Sequence, residues 1–357
     1  MKRMVCMAIS ILLIFSFAGC ASMEPVASDS NPPSSSVISA SDEEQPSTAT
    51  LLTNAESAAP EEKHYISLSI DSEALSNNLI DMSPKKTLYI YLPPSYYSGE
   101  KDYPVVYYLH GFGEPAGRYL SASTLDLDEA FESGAKEFIM VEIQGDNYYY
   151  VNSPVTGNWE DYVMNEVIPL IDESFNTIPD VASRGICGFS MGGFGTVNLA
   201  LRHPDVFCAF YAMSPGLMVD DGFADAMDTW SSDKVFLRSY SRAFAPDTDS
   251  DTLGHIPSLN GSDEDNAIVE KWKTGFGNLD EKLDAYLALG IPLKGMGFSY
   301  GTEDYYNWIP AGTQYLSDLL TEQGIENTLF VYKGGHTQPP ESIKAHIVPF
   351  FNEFLTF

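Results

Sequence analysis

The chain has 357 residues, 44% of them hydrophobic, which is enough apolar material for a large buried core. Its 50 acidic and 19 basic residues give a formal net charge of −31, which argues against nucleic acid as a partner because both carry negative charge. No spaced acidic loop of the calcium type, C-x-x-C pair or Cys/His cluster occurs, so the sequence predicts no metal and no cofactor.

The first 20 residues have the pattern of an export signal. A basic start precedes an apolar stretch at 7–17 that is too short to span a membrane comfortably. The four residues ending at Cys20, F-A-G-C, resemble a bacterial lipoprotein box, in which cleavage leaves the cysteine as a new N-terminus that carries diacylglycerol. We therefore expect an extracellular protein anchored to the cell membrane through Cys20. The alternative is an ordinary secretory signal with a coincidental cysteine.

Residues 21–62 form a segment of different composition. They are rich in Ser, Ala, Pro, Asp and Glu, contain no Lys or Arg, and show no apolar periodicity. Such a segment buries too little apolar surface to offset its ordering entropy. The sequence therefore predicts a tether over 21–62 and a folded domain over 63–357.

Short apolar runs alternate with helical patterns through the folded domain. This order of strands and helices predicts an α/β protein with a mostly parallel central sheet and helices on both faces. The strands are expected at 65–70, 87–92, 103–109, 138–143, 185–187, 207–213, 294–300 and 327–332. The helices are expected at 159–175, from 194 to about 204, at 312–323 and at 342–354.

Residues 216–292 interrupt this alternation. They contain acidic clusters and isolated helical patches such as 266–273. We interpret this stretch as an insertion that lies over one end of the sheet. Whether it moves as a lid is not predicted.

The strongest motif for chemistry is G-F-S-M-G at 188–192, a G-x-S-x-G pentapeptide between a predicted strand and a predicted helix. A serine at such a turn is held in a strained backbone conformation that exposes its hydroxyl. The positive end of the following helix also favours a developing oxyanion. The pattern therefore predicts Ser190 as a nucleophile, against the alternative of a chance glycine-rich loop.

A nucleophilic serine requires a base and an acid, which follow it in the chain on this kind of fold. His336 follows a predicted strand directly, whereas His346 lies inside the last predicted helix. We therefore predict His336 as the base. Glu303 and Asp304 follow the preceding strand, and we favour Asp304 as the acid with Glu303 as the alternate.

Two backbone amides are needed to bind an oxyanion. One is expected from Met191, directly after the nucleophile. The other is expected from Phe112 in the H-G-F-G loop at 110–113 that follows an early strand. His110 in the same loop is expected to bind neighbouring backbone and to have a structural role.

Seven motifs occur in the folded domain, in the order LPPSY at 92–96, YPVVYYLHG at 103–111, GNWE at 157–160, GFSMGG at 188–193, HPDVF at 203–207, GTED at 301–304 and GGH at 334–336. These motifs and their order resemble the esterase D group of α/β hydrolases, which includes feruloyl, acetyl-xylan and enterochelin esterases, S-formylglutathione hydrolases and mycolyltransferases. The resemblance covers residues 65–357. It implies an α/β-hydrolase fold, Ser190, Asp304 and His336 as a catalytic triad, and Phe112 and Met191 as the oxyanion hole.

Several aromatic residues are candidates for a substrate pocket. Tyr305 and Trp308 lie beside the proposed acid and are expected to form a pocket wall. Trp159 is a further candidate, although burial in the core is the favoured interpretation of this residue. Cys187 and Cys208 lie in apolar runs and are expected to be buried thiols, with a disulfide between neighbouring strands as the alternative.

These observations favour a secreted, lipid-anchored serine esterase that hydrolyses carboxylic esters through an acyl-enzyme. Feruloyl or acetyl esters of plant polysaccharide are the first candidates for its substrate. A second hypothesis is an acyltransferase that moves the acyl group to a sugar or lipid alcohol. A third is a non-catalytic surface binding lipoprotein. The oligomeric state is not predicted.

Overall fold

An eight-stranded sheet forms the centre of the fold. The computed structural model describes residues 63–99 and 101–357, so the predictions for the leader, Cys20 and the tether lie outside the described residues. A separate two-stranded hairpin is formed by β5 and β6. The strands are β1 (Tyr65–Asp71), β2 (Lys85–Tyr91), β3 (Val105–Leu109), β4 (Ile139–Ile143), β5 (Asn152–Ser153), β6 (Gly157–Asn158), β7 (Arg184–Phe189), β8 (Ala209–Met213), β9 (Gly295–Gly301) and β10 (Thr328–Tyr332).

The strand order is β1-β2-β4-β3-β7-β8-β9-β10. Strand β2 pairs antiparallel with β1 on one side and with β4 on the other. The remaining five pairs in this order, β4–β3, β3–β7, β7–β8, β8–β9 and β9–β10, are parallel. Strands β3, β4, β7 and β8 are buried along their whole length, as continuous apolar runs in a parallel sheet predict. The α/β prediction is confirmed.

Helices cover both faces of the sheet. Adjacent residues of β7 point to opposite sides, so that Ile186 lies in one buried cluster and Cys187 in the other. The helices are α1 (Arg118–Glu132), α2 (Trp159–Asp161), α3 (Ile168–Ser174), α4 (Met191–Arg202), α5 (Phe223–Trp230), α6 (Lys234–Phe244), α7 (Asp263–Lys273), α8 (Leu279–Leu289), α9 (Trp308–Glu322) and α10 (Val348–Phe354). π-Helical turns at Tyr162–Val167 and Ser342–Ile347 precede α3 and α10.

Helix α1 was not predicted from the sequence. Its buried residues include Leu120, Leu127 and Phe131, which fall on one helical face, but Ser, Thr and Asp residues separate them. Helix α9 begins at Trp308, four residues before its predicted start. Pro310 lies in its first turn, where the missing N–H would have no intrahelical partner.

The inserted segment contains the four helices α5 to α8 between β8 and β9. Its aromatic side chains pack on one another and on α4. Trp230 lies 5.4 Å from Tyr240 between ring centroids, and Phe276 lies 5.1 Å from Phe194 of α4. The insertion is therefore anchored to the helix that follows the G-x-S-x-G turn.

The cysteines Cys187 and Cys208 are buried free thiols, so the disulfide alternative is wrong. Burial raises the pKa of Cys208 to about 11, which keeps this thiol protonated at neutral pH. None of the helices in the described ranges is long and apolar enough to cross a membrane.

Candidate active site

Ser190 occupies the sharp turn between β7 and α4, at the carboxyl end of the sheet. Its φ of +56° lies in the left-handed region, which is strained for a residue with a side chain. Three backbone hydrogen bonds hold this turn. The Ser190 amide donates to Met213 O at 2.9 Å, and its carbonyl accepts from Phe194 at 2.9 Å and from Gly216 at 3.0 Å. The strained conformation predicted for the nucleophile is present.

Glycines on either side of Ser190 allow β7 and α4 to cross closely. A Cβ atom on Gly192 would lie 1.9 Å from Leu109 O, and one on Gly188 would lie 2.4 Å from Gly192 O. Both contacts are with backbone, which cannot move aside. The G-x-S-x-G spacing is therefore a steric requirement of this turn.

His336 lies between Ser190 and Asp304, in the loop after β10. Its Nε2 is 2.8 Å from Ser190 Oγ, and its Nδ1 is 2.7 Å from Asp304 Oδ2. A carboxylate only accepts, so Nδ1 carries the proton and Nε2 accepts from the serine hydroxyl. The three predicted side chains thus form one continuous chain of hydrogen bonds.

The carboxylate in this chain belongs to Asp304 and not to Glu303. The Asp304 side chain is 0% exposed, and its Oδ1 accepts from the Tyr306 amide at 2.9 Å. The Glu303 side chain is 60% exposed and points to Lys333, 3.6 Å away. The geometry therefore supports the favoured acid over the alternate.

The other candidate base, His346, contacts none of these residues. Its ring packs 4.1 Å from the ring of Phe330, between centroids, and burial lowers its pKa. The position of His346 is the structural one expected from the sequence.

The loop after β3 uses two of its backbone amides to bind side chains. The Gly111 amide donates to Glu114 Oε2 at 2.8 Å, and the Gly113 amide donates to Asn147 Oδ1 at 2.7 Å. Between them, the Phe112 amide has no acceptor within residues 63–99 and 101–357.

The second predicted oxyanion donor is at the start of α4. Met191 is the first residue of this helix, so its amide has no intrahelical partner. Met191 and Phe112 line the same cleft as Ser190. Both amides are therefore free to bind an oxyanion beside the serine hydroxyl.

His110 supports the loop after β3. Its Nε2 is 3.0 Å from the Gly145 amide, which donates to it, and its Nδ1 is 2.9 Å from Gly111 O. These two bonds require a neutral ring, and burial lowers the His110 pKa accordingly. The structural role expected for His110 fits this arrangement.

A cleft of about 250 Å³ opens beside Ser190; we call it the active-site cleft. Its walls are mainly aromatic, and four of its residues come from the insertion, namely Gly216, Asp233, Phe236 and Phe276. The lining residues are Gly111, Phe112, Glu114, Phe189, Ser190, Met191, Gly216, Asp233, Phe236, Phe276, Tyr305, Tyr306, Trp308, Ile309 and His336.

Two of the three predicted pocket residues line this cleft. Tyr305 is 67% exposed at its rim, and Trp308 is 4% exposed in its wall. The Trp308 Nε1 is buried without a protein acceptor in the described part of the chain. Among the residues that the structure describes, Trp308 thus adds an unpaired side-chain donor to the unpaired Phe112 and Met191 amides.

Trp159 does not line the cleft, which corrects the prediction that it contacts substrate. Its side chain is 0% exposed and packs between Tyr148 and Tyr162, at centroid distances of 5.6 and 5.8 Å. Its Nε1 donates to Thr156 O at 2.9 Å. Trp159 is a core residue because every part of its ring is covered by protein.

Sequence analysis missed the residues that the insertion contributes to the cleft. Phe236 lies on α6 and contacts Phe112, at a centroid distance of 5.2 Å. The aromatic content of the insertion was a usable signal, since an insertion at the carboxyl end of a parallel sheet is placed to cover the site.

A second cleft of about 320 Å³ lies on the other side of His336; we call it the side cleft. Its wall is the first turn of α1 and the loop after His336. The lining residues are Glu114, Pro115, Arg118, Tyr119, Ala122, Glu142, Phe189, His336, Thr337 and Gln338.

Glu142 of β4 fixes the first turn of α1. Its carboxylate is fully buried and accepts from the Gly117 and Leu120 amides, both at 2.8 Å. Burial is the main cause that raises the pKa of Glu142 to about 7, and the negative charge of Glu114 raises it further. The hydrogen bonds from the two amides lower this pKa, but by less than burial raises it. This carboxyl therefore titrates near neutral pH.

Glu142 should make stability depend on pH. Its pKa is higher in the folded chain than in the unfolded one, so its stabilising contribution is greatest below pH 4.5 and is lost as the pH rises to about 7. Glutamine does not ionise, so Glu142→Gln lacks this contribution. We expect the unfolding free energy of the wild type, relative to that of the variant, to fall by about 2 to 3 kcal/mol between about pH 5 and pH 7.5. Urea unfolding of both proteins at the two pH values measures this, and parallel pH profiles would contradict it.

No cluster of three or more His, Cys, Asp or Glu side chains suited to a metal occurs among residues 63–99 and 101–357. The arrangement around Ser190 is a hydroxyl, an imidazole and a carboxylate in hydrogen-bond contact, in a cleft that Phe112 and Met191 also line.

Comparisons with known proteins place the chain in a family. A family model described as "Putative esterase" matches residues 81–274. An esterase of Mycobacterium tuberculosis is 29% identical over 119 residues, which are 32% of this chain and 25% of that protein. An endo-1,4-beta-xylanase/feruloyl esterase of Xylanibacter ruminicola is 30% identical over 151 residues, which are 39% of this chain and 21% of that protein.

A solved structure shows the same fold. A ferulic acid esterase superposes with a TM-score of 0.58 over 82% of this chain and 98% of its own, at 22% identity. This structure confirms the predicted α/β-hydrolase fold, and the family model confirms the family resemblance. Because the family model matches more than half of the chain, this protein belongs to the esterase family.

Proposed function

We propose that this protein is a serine esterase that hydrolyses carboxylic esters through an acyl-enzyme. The observation that carries the proposal is the hydrogen-bond chain from Ser190 through His336 to the buried carboxylate of Asp304. Membership of the esterase family supports it. The matched segments span only a quarter or less of the mycobacterial and Xylanibacter relatives, and the esterase names of those proteins agree with the proposal.

In the proposed mechanism, Ser190 Oγ attacks the ester carbonyl carbon while His336 Nε2 takes its proton. Asp304 holds the imidazole and stabilises the positive charge that forms on it. The carbonyl oxygen, now negative, accepts hydrogen bonds from the Phe112 and Met191 amides. The carbon–oxygen bond to the alcohol then breaks, and His336 returns the proton to the leaving oxygen.

Water completes the cycle. His336 takes a proton from a water molecule, which attacks the acyl carbon of the ester on Ser190 and forms a second oxyanion. The bond to Oγ breaks, Oγ regains the proton from His336, and the carboxylic acid is released. Each step uses side chains and amides of this chain.

Feruloyl and acetyl esters of plant polysaccharide are the proposed substrates. The active-site cleft carries aromatic walls from Phe236, Phe276, Tyr306 and Trp308, which favour a flat aromatic acyl group. The word feruloyl or ferulic in the names of two similar proteins supports the same choice.

We also propose that the protein is exported and lipid-anchored through Cys20, on the strength of the F-A-G-C pattern at 17–20. Expressed at full length in a bacterial host with lipoprotein processing, it should incorporate a palmitate analogue and partition with membranes. Cys20→Ser should remove both the label and the membrane association. A label retained in this variant would contradict the anchor.

An ester screen tests the proposed function. The chain is incubated with acetyl, feruloyl and longer acyl esters, and with a fluorophosphonate probe. We expect hydrolysis of at least one ester and labelling of one serine, Ser190, located by peptide mapping. The absence of both turnover and labelling would favour a binding protein. Acyl glycan as the main product in the presence of a glycan acceptor would favour acyl transfer over hydrolysis.

A further inference from the structure

The side cleft meets the active-site cleft at a wall shared by Glu114, Phe189 and His336. Ser190 and the Phe112 and Met191 amides line only the active-site cleft. His336 must return a proton to the leaving oxygen, so the alcohol half of an ester has to lie on the His336 side of the serine. The side cleft opens at this position.

The two clefts differ in the side chains that they present. Aromatic rings form much of the active-site cleft, whereas the side cleft adds Arg118, Thr337 and Gln338 to the Glu114 that both clefts share. Ring faces suit a flat acyl group, and the hydroxyl groups of an alcohol find partners among the polar side chains of the side cleft.

Acceptors for such hydroxyl groups remain free in the side cleft. Gln338 Nε2 donates to Tyr108 Oη at 2.9 Å, which fixes the amide and leaves its oxygen available. Glu114 uses Oε2 to accept from the Gly111 amide at 2.8 Å and keeps its second oxygen. Sugar hydroxyl groups donate as well as accept, so they match these acceptors.

Arg118 supplies the donors. It is exposed and forms no ion pair with residues 63–99 and 101–357, although the sequence contains 50 acidic residues. Its backbone is fixed because the buried Glu142 carboxylate binds the amides of Gly117 and Leu120 on either side of it. A guanidinium group presents five N–H donors in a rigid plane, which suits pairs of neighbouring hydroxyl oxygens.

We propose that the side cleft binds the alcohol half of the ester as a hydroxylated unit such as a sugar, and that Arg118 is the residue that selects it. This inference rests on the proposed esterase function, because it assigns the two halves of the substrate to the two sides of His336. Glu114 and Gln338 accept from the hydroxyl groups, and Arg118 donates to them.

A pair of esters that share an acyl group tests the inference. One is the methyl ester of the acyl group and the other is its arabinose ester. The acyl group is acetyl or feruloyl, chosen as the one whose esters the wild type hydrolyses faster. The measured quantity is kcat/KM for the arabinose ester divided by kcat/KM for the methyl ester. Arg118→Gln and Arg118→Lys are compared with Lys271→Gln, an exposed site on α7 that lines neither cleft.

We expect Arg118→Gln to lower this ratio roughly tenfold or more, through a higher KM for the arabinose ester, because a charge-assisted hydrogen bond is lost. Arg118→Lys should retain part of the ratio, and Lys271→Gln should retain all of it. A ratio preserved in Arg118→Gln, or one reduced equally in Lys271→Gln, would overturn the assignment. A wild type that hydrolyses no ester of the screen and shows no labelling of Ser190 would overturn the proposed function itself.

Discussion

Replacing Ser190 with alanine should lower kcat for ester hydrolysis by roughly 10⁴- to 10⁶-fold. The change removes Oγ, the atom that forms the acyl-enzyme, and leaves His336 without its partner at 2.8 Å. Activity that remains should come from the free amides and from substrate binding alone. The rate is measured with 4-nitrophenyl acetate and with the best ester of the screen, and fluorophosphonate labelling should disappear together with it.

The fold should survive this substitution. Alanine keeps the Cβ atom of Ser190, so the backbone strain at φ +56° is the same in both proteins, and the three hydrogen bonds that hold the turn come from backbone groups. Thermal melting of the variant should therefore match that of the wild type. Ser231→Ala, an exposed serine in the insertion, is the matched control and should keep full activity. Substantial hydrolysis by Ser190→Ala would exclude the mechanism.

The parallel sheet could be predicted because its strands are short apolar runs bounded by turns. Strands β3, β4, β7 and β8 are buried on both faces, so they contain few polar residues to obscure the pattern. The elements around Ser190 were found for a different reason. The turn between β7 and α4 requires glycine at 188 and 192, which leaves a signature in the sequence.

The cleft walls could not be predicted in the same way. Which aromatic residues face Ser190 depends on how the insertion folds back across the sheet, and its contacts join residues far apart in the chain, such as Phe112 and Phe236. Trp159 illustrates the limit. Composition alone does not separate a tryptophan that packs inside a helix–sheet interface from one that lines a pocket, and Trp159 proved to be fully buried.

The side cleft was also missed, because its wall depends on α1. The apolar face of this helix is interrupted by polar residues, and its first turn is fixed by Glu142, a carboxylate from a strand on which a charged residue is unexpected. A charged residue within an otherwise apolar strand was the available signal. It marks a position where a buried charge must have a defined partner, here the N-terminus of a helix.

Asp304→Asn should be nearly as damaging as the loss of the nucleophile, with kcat reduced by roughly 10³- to 10⁴-fold. The reason lies in the hydrogen bonds of the carboxylate. Asp304 Oδ1 accepts from the Tyr306 amide at 2.9 Å, so the oxygen of an asparagine would stay at that position and its NH₂ group would face His336. Two donors cannot pair, so Nδ1 would have to become an acceptor. The ring proton would then move to Nε2, which could no longer take the proton of Ser190.

Glu303→Gln is the matched control for Asp304→Asn, because it makes the same chemical change one residue earlier. The Glu303 side chain is exposed and forms an ion pair with the Lys333 ammonium, at 3.6 Å. Its loss should change kcat by less than about twofold, as for other surface ion pairs. Both variants are compared by steady-state kinetics and by thermal melting. If Glu303→Gln were the variant that loses activity while Asp304→Asn kept it, the buried aspartate would not be the residue that orients His336.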